Sequence, residues 1–173
     1  MLNGKRVGLG LLLGLLTVGA ALAADAPSTA EVLGKVHRSN LKEIEMGKMA
    51  QAHGMSKEVK DFGKTLVKDH SLADKKVVKL AKDEKIDLTA ATPPADAHPD
   101  QVHTGTAFDD AFAKDMLADH KNDIANVTAA RDATADPILK QLLTDMLPVL
   151  NKHESIAQKL VDHATNRSAS PLR

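Results

Sequence analysis

Val59-Lys-Asp-Phe-Gly-Lys-Thr-Leu-Val-Lys-Asp-His-Ser-Leu-Ala-Asp-Lys-Lys-Val-Val-Lys-Leu80 is the stretch whose reading decides the fold. Val59, Phe62, Leu66, His70, Ala73, Val77 and Leu80 return every three or four positions, the spacing of one face of an α-helix, and the intervening positions are mostly charged. Ser56 can cap its start, and the pattern persists to about Lys85. At 1.5 Å per residue this is a rod of ~40 Å. Such a rod cannot bury its stripe alone.

Outward from it, the same periodicity predicts three partners. A first helix begins at Ser28, whose Ser-Thr-Ala-Glu31 run reads as a capping box, and ends near Gly54. A third covers about Thr106 to Asp132, with Phe108, Phe112, Met116, Asp119, Asp123 and Val127 in register. Asp136-Pro137 announces a fourth, an N-cap followed by Pro at the first helical position, running to about His163. Its stripe is Leu139, Leu142, Leu143, Met146, Leu150, His153, Ala157 and Leu160, and Pro148 within it predicts a kink one turn before His153. Between the second and third helices, Thr89 to Thr104 carries Pro93, Pro94 and Pro99 and reads as a long crossing. No segment shows sustained strand alternation. The expected fold is an all-α, up-down-up-down four-helix bundle.

The chain divides into three parts. Residues 1–23 read as a secretory signal: Lys5 and Arg6, an apolar stretch from Val7, and a small-residue cleavage site at Ala21-Leu22-Ala23. Residues 24–165 form the bundle domain, and 166–173 a patternless tail expected to be flexible. After cleavage no remaining segment is apolar enough to span a bilayer, so the mature chain is expected in a periplasm or outside the cell.

Composition narrows the chemistry. The 173 residues include no Cys, no Trp, no Tyr and three Phe, with 23 basic and 23 acidic side chains. Disulfides, thiolate nucleophiles, iron–sulfur clusters and cysteine-ligated zinc are excluded. Zero net charge and so few aromatics argue against nucleic acid as a partner. No serine sits in a Gly-x-Ser-x-Gly setting, no glycine-rich loop offers a phosphate cradle, and a tight bundle is expected to leave little cleft for a general base. An enzyme is therefore the less expected class.

Polar groups nevertheless interrupt the apolar stripes. The second and third helices echo each other at an offset of fifty: Phe62, Lys64, Asp69, His70 and Val77 against Phe112, Lys114, Asp119, His120 and Val127. The expectation is a pseudo-twofold arrangement of antiparallel helices, the two Asp-His pairs at mid-height and the two Phe at opposite ends. Asn40, Glu43, Asp123 and His153 fall in the same stripes, placing titratable groups of four helices in a layer of about 9 Å. Unpartnered, such groups are costly to bury.

Three readings stand open. In one, Asp69 pairs with His120 and Asp119 with His70, fixing helix register without a ligand. In another, His70, His120 and His153 bind a transition metal (Fe, Mn, Zn, Ni or Cu) with carboxylates from Glu43, Asp119 or Asp123, while Asp69 and Asn40 orient the imidazoles from outside. In the third, an apolar or amphipathic ligand lies between the helices. Elsewhere, His98 and His103 with Asp96 and Asp100 form a solvated loop or a weak surface metal site. His37 reads as a half-buried packing residue. Met116 and Met146 read as core, and Met46 and Met49 as lying off the stripe. Acid is expected to loosen the bundle if the central histidines are buried and neutral.

Several runs resemble a known family: Asn40-Leu-Lys-Glu-Ile-Glu-Met-Gly-Lys-Met-Ala50, Ser56-Lys-Glu-Val-Lys-Asp-Phe62, Val67-Lys-Asp-His70, Phe108-Asp109, Asp119-His120 and Leu147-Pro-Val-Leu-Asn-Lys-His153. They are similar to domain-of-unknown-function family 4142, exported bacterial proteins often labelled as outer-membrane or membrane proteins. The resemblance covers about residues 28–162 and implies export, an envelope setting and a ferritin-like four-helix bundle, with no established activity. Ferritin-like di-iron proteins use Glu-x-x-His pairs. Here the residue three before His70 is Val67, before His120 Leu117 and before His153 Leu150.

Overall fold

A computed structural model of the chain describes residues 27–89 and 104–169. They form α1 (Thr29–His53), α2 (Lys57–Asp83), α3 (Thr106–Ala133) and α4 (Pro137–Ala169), with no strand among the described residues. The expected leader, its cleavage site, and His98, His103, Asp96 and Asp100 lie outside the described residues.

The helix starts follow from side chains that satisfy the otherwise orphaned N–H groups of the first turn. Ser28 Oγ accepts from Glu31 N while Glu31 Oε2 accepts from Ser28 N, the expected capping box. Ser56 Oγ accepts from Val59 N, and Asp136 Oδ1 from Ile138 N and Leu139 N. Helix α4 is unbroken through Pro148, which lies on its exposed side. It also continues past His163 into the predicted tail, and Arg167 there is held to Asp110 of α3 at 2.6 Å. That ion pair is a tertiary contact, between α4 and α3, in a stretch where the sequence has no apolar pattern.

The all-α bundle is as expected; the direction of its helices is not. Phe62 and Phe112 meet at 5.9 Å and His70 and His120 at 5.7 Å, so α2 and α3 pair residue by residue in the same order and run parallel. Asp109, in the first turn of α3, accepts from Met55 N and Ser56 N in the α1/α2 turn, each at 2.8 Å. The start of α3 thus sits at the end where α2 began. The order is up-down-down-up, in place of up-down-up-down. The connection from Asp83 to Thr106 therefore joins opposite ends of the bundle, and at ~3.3 Å per residue its length permits this.

In cross-section α1 packs on α2 and α3 on α4, with lighter contact between α2 and α4 and lightest between α1 and α3; α2 faces α3 across a diagonal. The echo between α2 and α3 becomes a pseudo-twofold along the bundle axis, with both Phe at one end. Two apolar clusters result. One gathers Met46, Phe62, Leu66, Phe108, Phe112 and Met116 near the α1/α2 turn. The other gathers Val32, Leu33, Val77, Val127, Leu143 and Leu150 near the α3/α4 turn. Met46 belongs to the core, and Met49 packs against it, which corrects their placing off the stripe. The residues between the clusters are the polar ones.

Candidate metal centre

Four helices bring Asn40, His70, His120 and His153 to mid-height, none more than 3% exposed. The three imidazoles touch as a ring of aromatic contacts, with centroids of His153 5.2 Å from those of both His70 and His120. The Phe62 ring closes the side toward the cluster near the α1/α2 turn, edge-on to His153 at 5.9 Å. Each histidine offers one ring nitrogen to a group in which these atoms lie within 4.8 Å of one another.

The outer nitrogens are already committed. His120 Nδ1–H donates to the Met116 carbonyl at 2.8 Å, His70 Nδ1–H to Asn40 Oδ1 at 3.0 Å, and His153 Nε2–H to Asp69 Oδ2 at 3.1 Å. The Met116 carbonyl and the Asp69 carboxylate accept only, so they fix the tautomers of His120 and His153, and with Oδ1 of Asn40 turned toward its ring His70 takes the matching form. The lone pairs left over are those of His70 Nε2, His120 Nε2 and His153 Nδ1. His70 Nε2 has no protein partner, and His120 Nε2 faces His153 Nδ1 at 3.3 Å. Reversing His153 would turn a lone pair against the Asp69 carboxylate. Two imidazole lone pairs facing each other at this distance repel unless a cation lies between them.

A proton is a poor candidate for that cation. Burial holds the His120 imidazolium below its usual range and, with the neighbouring histidines, takes His70 down to about 3. Burial likewise takes His153 to about 4, against the pull of its hydrogen bond to Asp69. Asp69 goes the other way: burial would raise it, but the His153 hydrogen bond and the charges nearby hold it below the ordinary carboxylate range. The site at neutral pH is three neutral imidazoles backed by one carboxylate. A metal with bonds of 2.0–2.1 Å in tetrahedral geometry sets its ligands ~3.3 Å apart, the His120–His153 spacing already present. His70, whose nitrogen lies within 4.8 Å of the other two, would close in by at most about 1.5 Å to reach the same spacing.

The carboxylates expected to complete the set lie elsewhere. Asp119 is bound to Lys42 Nζ at 2.7 Å and Asp123 accepts from Ser39 Oγ; both are half-buried. Glu43 is 1% exposed, its Oε2 without a partner. Burial, reinforced by Asp119 and Asp123, pushes Glu43 up to about 8, so at neutral pH it is mostly the acid. Among the described residues none of the three joins the histidine group. The expected register pairs are corrected too: Asp69 bonds His153, not His120, and Asp119 bonds Lys42, not His70. Asp69 and Asn40 each accept from an imidazole N–H, of His153 and His70 respectively. His37 is half-buried and bonded to Asp74 at 2.6 Å.

Sequence reasoning missed Lys42 and Asp109. The signal for Lys42 was its place one residue before Glu43, where a cation offsets the buried acids. Asp109 had the signature of an acid in a helix first turn, but its acceptors point out of the helix to another turn, which periodicity does not register. The expected lack of a cleft is also corrected. A cavity of about 590 Å³ lies between α1 and α3, the most lightly packed of the neighbouring pairs, and Asn40 and His70 are among its lining residues.

No described helix is long and apolar enough to cross a membrane. The family model described as a domain of unknown function, DUF4142, matches residues 16–160. No curated protein and no solved structure matches the chain.

Proposed function

The chain belongs to the DUF4142 family, and we propose that its bundle binds one divalent transition-metal ion through His70, His120 and His153, outside the cytoplasm. The observation that carries the reading is the pair of imidazole lone pairs opposed at 3.3 Å with both outer nitrogens already donating. The all-imidazole donor set suits Zn, Cu, Ni or Fe better than Mn, which prefers oxygen. Three protein ligands leave a coordination position open, the arrangement of sites that bind or transform an exogenous molecule. Asp69, Asn40 and the Met116 carbonyl hold the rings and raise their basicity. The basic, apolar and small-residue leader supports export, with the envelope as the setting.

A second reading has its own support: Asn40–His70 ties α1 to α2, and Asp69–His153 ties α2 to α4, which fixes register without any ion. Elemental analysis of untagged protein, followed by dialysis against Zn, separates the two. One equivalent of metal, lost in His70→Ala and His153→Ala but kept in His37→Ala, is the expected result. Protein that stays metal-free after loading leaves only the register role.

A further inference from the structure

The cavity between α1 and α3 is built differently on its two ends. Val32, Val36, Val127, Met146 and Leu150 wall it with hydrocarbon. At its floor are His70 and Asn40, and the Asn40 amide Nδ2 is a buried donor without a protein partner. Lys35 and Arg38, three residues apart on the same face of α1, bring two cations to its lining; Lys35 is exposed and Arg38 half-buried. The acid on the wall, Asp123, is tied to Ser39. At about 590 Å³ the space falls in the range of small-molecule sites.

We propose that this cleft binds an amphipathic organic monoanion, its acidic group held by Lys35 and Arg38 and its apolar body lying between α1 and α3, with the inner end against Asn40 and His70. A polar acceptor at that inner end would take the idle Asn40 N–H. The binding goes beyond the metal reading and does not require it, since every contact named belongs to the protein. Where a metal is bound, the ligand's inner end lies beside one of its histidines.

The probe is decanoate, titrated calorimetrically into the full chain, with decyltrimethylammonium as the cationic counterpart. Expected are saturable binding of one decanoate, at least tenfold weaker binding in the Lys35→Glu, Arg38→Glu double variant, and loss of binding in Ala130→Trp, which fills the cleft. Both variants keep the parent's melting temperature and its Zn uptake, so failure of the cleft and failure of the metal site are read separately. Equal affinity for the cationic probe, no saturable binding, or binding unchanged in Ala130→Trp overturns the proposal. So does a concentration-dependent dimer abolished by Ala130→Trp, which would assign the cleft to a second copy of the chain.

Discussion

At the scale of the residue, the central point is that the protonation of each buried group is set by what its other atoms already touch. Asp69 matters because it takes the Nε2–H of His153 and so turns Nδ1 inward. Asp69→Asn removes the charge and offers an amide that can pair with either tautomer. The expected outcome is a fall in Zn affinity on the order of 10- to 100-fold by competition with a chromophoric chelator, at unchanged stoichiometry. Glu43 presents the opposite case, an acid kept neutral by burial beside two other carboxylates. Glu43→Gln copies that neutral form, so it should leave stability at pH 5 within about 1 kcal/mol of the parent and raise it by several times as much at pH 8.5, as urea denaturation at the two values would show. Equal effects at both pH values would mean that Glu43 is ionised throughout. Glu43 was legible in the sequence as a polar interruption of a stripe and Asp69 as half of a repeated Asp-His pair; the partner of each was not, because helical phase gives direction around an axis and says nothing of which neighbour stands there.

The elements were read best where local chemistry decides them. The capping box at Ser28, the Ser56 cap and Asp136-Pro137 set three helix starts, and the observed helices begin there. Helix ends were read less well: α4 outlasts its apolar pattern, and Arg167 in that extension is held across to Asp110. The α1/α2 pairing adds a constraint that only proximity reveals. A Cβ on Gly63 would lie 2.6 Å from the Gly47 carbonyl oxygen and 2.8 Å from Ala50 Cβ. Alanine is worth about 1 kcal/mol over glycine in a helix interior, yet a clash with backbone forces the helices apart at a typical cost of 1–3 kcal/mol, so the clash wins. Gly63→Ala should therefore destabilise by up to about 2 kcal/mol in chemical denaturation; a stabilised variant would show that the two helices can separate freely.

For the whole molecule, the buried histidines and Glu43 oppose each other across the pH scale. Folded His70 and His153 titrate near 3 and 4, below the 6.5 of the unfolded chain, so the unfolded state binds more protons as pH falls below 6.5. Their contribution is whole above that value and is lost on acidification, at about 1.4 kcal/mol per pH unit for each group. Glu43, raised to about 8 from 4.5, acts in reverse: its contribution is whole below 4.5 and is lost as pH rises toward 8. Between 4.5 and 6.5 the histidines outnumber it, and above 6.5 it acts alone. Metal-free protein should thus be most stable near pH 6.5 and decline to either side by about 1.4 kcal/mol per pH unit, measurable as melting temperature by circular dichroism from pH 4.5 to 8.5. Saturating metal should steepen the acid decline further, since protons compete for the same nitrogens.

The amino-acid sequence by itself determined four helices, their caps, their apolar faces and the presence of three histidines and several acids on those faces. These depend on interactions within a few residues and on a fixed angle per residue, which the chain carries wherever it goes. Only the tertiary structure decided that α2 and α3 run parallel, that Asp69 serves His153, that Glu43 stands among Asp119, Asp123 and Lys42, and that a cleft opens between α1 and α3. Those outcomes follow from how a long connection lets the second hairpin dock, and an apolar stripe is equally content with a neighbour running either way. The histidine layer was found despite the wrong directions because it lies near the middle of each rod, the one height that does not change when a helix is turned end for end.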